Sequence, residues 1–97
     1  MKARILPAAR QDLRDAIERY DQERSGLGRE FLSAAREALQ RASDFPDAWH
    51  PVSPTLRRCR LRRFPYGLIY HTTGSELIVI AVAHLHRMPR YWEGRHQ

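Results

Sequence analysis

The chain has 97 residues, 42% of them hydrophobic and 29% charged, with one cysteine and a formal net charge of +6. That length suits one domain built on a single modest core. A lone cysteine excludes an intramolecular disulfide framework and fits a reducing compartment. No apolar run approaches the roughly 20 residues of a membrane span, and none follows a basic start as in a secretory signal, so a cytoplasmic protein without membrane contact is expected.

The charge is unevenly placed. Residues 1–47 hold nine basic and nine acidic side chains, whereas residues 48–97 hold eight basic and two acidic ones and all five histidines. The first half reads as a charge-balanced scaffold. The second carries a positive field suited to an anionic partner, either nucleic acid or an acidic protein segment.

Residues 1–6 form a short first strand. Pro7 then suits the first turn of a helix, where its missing N–H costs nothing. Ala9, Leu13, Ala16, Ile17 and Tyr20 make one apolar stripe, with Asp15/Arg19 and Arg14/Glu18 spaced for ion pairs on the other face. Ser25-Gly26 ends that helix. A second stripe of Phe31, Leu32, Ala35, Ala38, Leu39 and Ala42 follows at once, so the two helices form an antiparallel hairpin. Residues 46–56 (PDAWHPVSPTL) contain three prolines and read as a loop, with Trp49 tucked onto the core or an edge.

Over 57–63, Cys59 and Leu61 alternate with Arg58, Arg60 and Arg62, the period of a strand with an arginine ladder on one face. Phe64-Pro65 breaks it, and 66–72 returns as the next strand. After the turn residues 73–76, the run 77–84 is apolar on both faces and belongs at the centre of the sheet. The order is β-α-α-β-β-β, an α+β domain: a two-helix hairpin on a small, mostly antiparallel twisted sheet whose other face carries arginine.

The end of the central strand carries the candidate chemistry. Five arginines within residues 57–63 suit an anionic partner, although such a ladder also fits a solvated face that resists edge pairing. His84 and His86 are two apart, but no third metal ligand is evident, so no metal and no cofactor are expected. Histidine chemistry instead fits acid–base work near neutral pH, or a strand-closing hydrogen bond. Tyr91 and Trp92 could stack on a base, enter a protein pocket or fold back over the sheet. No Walker loop, nucleophile elbow or zinc spacing is present.

GLGREF at 26–31, RRFPYGLIY at 62–70 and AVAHLHRMPRYW at 81–92, in this element order, resemble the RelE/ParE toxins of type II toxin–antitoxin systems. The resemblance implies a toxin held inactive by a cognate antitoxin in a hetero-oligomer. It implies one of two targets. RelE-like members cleave mRNA on the ribosome without metal, and that reading assigns Arg62 (or Arg60), His84, Arg87 and Tyr91 as catalytic. ParE-like members poison DNA gyrase without that catalytic set, and their H-x-x-R is matched by His84 and Arg87. Lysines common in the RelE-like nucleases are absent, and five residues after Trp92 leave no room for a long C-terminal helix, so the ParE-like reading is favoured. A third possibility is an inactive toxin kept as an antitoxin-binding partner. In any of these readings Arg58, Arg60, Arg62, Arg63, His86, Arg90 and Trp92 are expected to meet a partner.

Overall fold

The computed structural model of the chain describes residues 1–87 and 90–95. The elements are β1 (Lys2–Ile5), α1 (Pro7–Glu23), α2 (Leu27–Asp44), β2 (His50–Pro51), β3 (Arg57–Arg60), β4 (Tyr66–Thr73) and β5 (Glu76–His84). They build one sheet of order β1-β5-β4-β3-β2, with β1 parallel to β5 and the other pairs antiparallel. This is the expected α+β architecture with one addition, the two-residue β2 inside the proline-rich loop.

The helices pack closely because their contact faces are small. Ala9 and Ala16 of α1 and Ala35, Ala38 and Ala42 of α2 are buried. At the hairpin, Gly26 takes φ +91 and Gly28 sits so close to α1 that a Cβ would lie 2.6 Å from the Ile17 carbonyl oxygen. The Gly28 amide donates to Asp21 Oδ1 at 2.7 Å, which fixes the start of α2 against α1. The ion pairs read from spacing do not form. Asp15 accepts from Gln11, and Arg14 donates to Gln11.

The loop after α2 is pinned rather than free. Arg57 donates to the Trp49 carbonyl at 2.8 Å, the Trp49 indole N–H to the Arg41 carbonyl at 3.2 Å, and the Tyr70 hydroxyl to the Pro46 carbonyl at 2.6 Å. Trp49 packs against the core, as expected.

Both sheet faces are covered. On the helix side, Phe31, Leu68, Tyr70, Leu77, Val79 and Val82 share one apolar cluster. The opposite face holds a second, with Leu56, Ile69, Ile78, Ile80, Ala81, Ala83 and Trp92. The opposite face is therefore apolar at its centre, with arginine only to one side, and not the arginine face expected from the sequence.

A bulge decides what the end of β5 presents. Tyr70 pairs with Val79 and Ile69 with Ala81, so Ile80 is extra. Ile80 and Ala81 both join the second cluster, and alternation restarts one residue later. Val82 therefore returns to the helix side, and His84 follows it there, opposite Tyr66 in the ladder and 5.0 Å from its ring. Without the extra residue His84 would emerge on the other face.

Candidate functional site

β1 is shorter than β5 and leaves the outer edge of β5 uncovered beyond Val79, where Leu6 donates the last backbone bond. Side chains finish that edge. Asp12 of α1 accepts the Val82 amide at 3.1 Å, and the Tyr91 hydroxyl lies 3.0 Å from both Asp12 Oδ2 and the Val82 carbonyl oxygen. Arg95 donates to Asp12 at 2.7 Å and to the Ile80 carbonyl at 3.1 Å, and its guanidinium stacks over the Tyr91 ring at 4.8 Å. The chain end is thus tied to α1 and β5 where a neighbouring strand would otherwise pair. Burial, together with the Asp12 charge and hydrogen bond, pushes the Tyr91 phenol well above its ordinary value.

Beside this tie lies a cleft of about 300 Å³ between α1 and the end of β5, lined by Asp12, Asp15, Arg19, Tyr66 and Val82 together with His84, Arg87, Tyr91 and Arg95. It brings together three of the four residues assigned to catalysis by resemblance: His84, Arg87 and Tyr91. His84 accepts the His86 amide at Nδ1, 3.1 Å away. Burial first, then the charge of Arg87, lowers its pKa from the ordinary 6.5. His86 itself is exposed, with its ring 5.9 Å from that of His84.

Arg62 is not in this cleft. The arginine strand ends at Arg60, not at residue 63, and the chain bends there. Arg62 turns to Glu37 of α2 at 3.7 Å, and Arg63, with φ 73, pairs with Glu30 at 2.7 Å. The hydrogen bond from Arg63 is the main cause holding the Glu30 carboxyl below its ordinary value. The expected ladder is therefore two residues long on one face, Arg58 and Arg60, with Arg62 and Arg63 diverted toward the helices.

A second pocket, of about 280 Å³, opens on the sheet face away from the helices, lined by Val52, Arg58, Ile69 and Ala83 with His84, Leu85, Arg90 and Trp92. Gly67 makes it possible: a Cβ there would meet Arg58 Cγ at 2.9 Å, so the arginine stem lies across bare backbone. Arg58 Nε is buried with no hydrogen-bond partner. Arg60 is exposed nearby on β3, with its carbonyl taken by Arg41 at 2.9 Å. Arg90 pairs loosely with Glu93 at 3.3 Å. Trp92 is buried to 9% exposure and forms a wall rather than a projecting group.

The sequence reading missed Asp12, Arg19 and Arg95, which complete the cleft, and Gly67, which seats Arg58. Each looks ordinary alone: a charge on a helix face, a charge near the chain end, a glycine in a strand. Met88 and Pro89 of the 81–92 motif lie outside the described residues. No group of three or more His, Cys, Asp or Glu among the described residues could hold a metal ion, and no described helix is long and apolar enough to cross a membrane.

A search of curated protein sequences finds no match to the chain. Among solved structures, one described as a chromosomal ParDE TA system from P. aeruginosa superposes with a TM-score of 0.66 at 15% identity, covering 88% of this chain and 96% of that chain. At that identity the likeness is one of fold. Residues 3–89 match the family described as "ParE toxin of type II toxin-antitoxin system, parDE". That match takes in the helical hairpin, all of the sheet but Lys2 and the His84-x-x-Arg87 motif, and the chain belongs to the ParE toxin family of type II toxin–antitoxin systems.

Proposed function

We propose that this ParE-family toxin acts by binding and inhibiting DNA gyrase, and that a cognate antitoxin holds it inactive in a hetero-oligomeric complex. The observation that carries the reading is the state of Tyr91. An RNA-cleaving site needs a base, an acid and phosphate-binding cations around one scissile bond. The Tyr91 hydroxyl is instead tied to Asp12 and the Val82 carbonyl, with its pKa raised, and Arg62 stands apart on Glu37 of α2. Tyr91 serves the fold, and the remaining cations form binding surfaces.

The surface we assign to partners is the sheet face around Arg58, Arg60 and Arg90, with His86 and Trp92 at its border. It combines an apolar floor of Ile69 and Ala83 with guanidinium groups, which suits acidic protein segments carrying apolar side chains. The fold neighbour's description as a ParDE toxin–antitoxin system supports an antitoxin as one such partner.

The nuclease reading keeps one favourable observation, the meeting of His84, Arg87 and Tyr91 in a single cleft. The two are separated by adding the purified protein to gyrase supercoiling and cleavage-complex assays, and to translated mRNA read by primer extension. Gyrase inhibition without new RNA 5′ ends supports the proposal. New 5′ ends without gyrase inhibition overturn it.

A further inference from the structure

The cleft between α1 and the end of β5 contains more donors than its own residues use. Arg19 and Arg87 both line it, and neither has a carboxylate partner among the described residues. Tyr66 is buried to 3% exposure, yet its hydroxyl makes no hydrogen bond among them. His84 accepts the His86 amide at Nδ1, so the neutral ring carries its proton on Nε2, on the opposite side. Two arginines, a histidine whose Nδ1 is already engaged and a tyrosine with an unbonded hydroxyl thus line one space, an arrangement that favours an oxyanion.

The acidic residues of the cleft narrow the choice of oxyanion. Asp12 is taken up by Arg95, Tyr91 and the Val82 amide, which leaves Arg19, Arg87 and Asp15 as the other charged residues of the lining. Among these lining residues the excess is one positive charge, which suits a single carboxylate. A nucleic-acid strand brings further phosphates past Asp15 and is repelled there. The remaining walls, Val82 and the rings of Tyr66 and Tyr91, are apolar and suit the methylene stem of a side chain.

We infer that this cleft is a carboxylate socket that receives a glutamate or aspartate side chain of a protein partner, held by Arg19, Arg87, His84 Nε2–H and the Tyr66 hydroxyl. The existence of the socket does not depend on gyrase being the target. That its ligand comes from a protein deepens, and rests on, the proposal of a protein target.

The test uses the full chain with labelled histidine, followed by NMR. Sodium acetate is titrated at constant ionic strength against chloride, with inorganic phosphate in a parallel series. The expected result is a saturable shift of the His84 ring signals with acetate and a rise of the His84 pKa, because a bound carboxylate favours the imidazolium. Arg19→Gln and Arg87→Gln should each weaken acetate binding about tenfold, in line with loss of one charge-assisted bond, while amide spectra confirm the fold. No saturable shift overturns the inference, as does binding unchanged in both variants. Phosphate binding about tenfold tighter than acetate at equal charge, set by working where phosphate is a monoanion, overturns the assignment to a protein carboxylate. Wild-type gyrase assays separate the two proposals. Acetate binding without gyrase inhibition leaves the socket standing and removes the gyrase target, and the converse removes only the socket.

Discussion

Asp12 and Arg95 stand 83 positions apart in sequence and 2.7 Å apart in space, and the carboxylate oxygen that accepts the hydrogen bond from Arg95 also accepts that of the Val82 amide. One side chain of the first helix thereby closes the unpaired edge of the last strand and fastens the end of the chain to it. The tie explains why Tyr91 is half-buried rather than offered to a ligand.

Asp12→Ala should therefore lose about 2–3 kcal/mol of stability, because it strands a part-buried guanidinium and a strand amide together. Urea unfolding monitored by circular dichroism measures it. A double-mutant cycle with Arg95→Met should give a coupling of about 1 kcal/mol or more. Additive losses would mean that the two groups do not share the tie.

Gly28→Ala should cost about 1–3 kcal/mol, as overpacking does when backbone stands in the way. The added methyl would lie 2.6 Å from the Ile17 carbonyl and 2.7 Å from Asp21 Cγ, so the helices must separate or the Gly28–Asp21 bond must break. Equilibrium unfolding is again the measurement, and an unchanged midpoint would contradict the close approach.

Stability should be greatest between two pH limits. Burial raises the Tyr70 phenol from 10.0 to about 12, and Tyr91 is raised as well. A raised folded pKa gives stability that is fully present below the unfolded value and lost as pH rises, here from pH 10 toward about 12. His84 is lowered from 6.5, so its contribution is complete above that value and declines as pH falls below it toward the folded value. Denaturant midpoints across pH, with phenolate absorbance followed in parallel, test both limits. Tyr70→Phe should reduce the alkaline slope.

Arg58→Glu should weaken binding to the antitoxin, and inhibition of gyrase if that face meets both, by tenfold or more. It replaces a half-buried guanidinium whose Nε has no hydrogen-bond partner with a like charge to the expected partner. Arg14→Gln, on the exposed face of α1 beside Gln11, should leave binding unchanged. Calorimetric titration of purified toxin with its antitoxin provides the comparison.

Much of the fold was legible because periodicity is local. The two helical stripes, the Gly26 break and the apolar central strand all fell where residue spacing placed them. What escaped were features that spacing does not encode. The bulge is silent because Ile80 and Ala81 are both apolar, so an extra residue leaves no gap in the pattern, yet it selects the face on which His84 emerges. The arginine strand looked three residues longer, to residue 63, because Leu61 and Arg62 continue the alternation, whereas the bend before Phe64-Pro65 takes Arg62 to Glu37. Asp12 and Arg95 gave no signal, since their meeting is a property of the closed chain alone.

The most direct test of the central claim, that the protein works by binding gyrase and not by cutting RNA, is the gyrase supercoiling assay with wild type and Tyr91→Phe side by side. Both should inhibit at comparable concentrations once matched for folded fraction, because the tyrosine hydroxyl supports structure only. Absence of inhibition by folded wild-type protein, together with mRNA cleavage that Tyr91→Phe abolishes, would contradict the account.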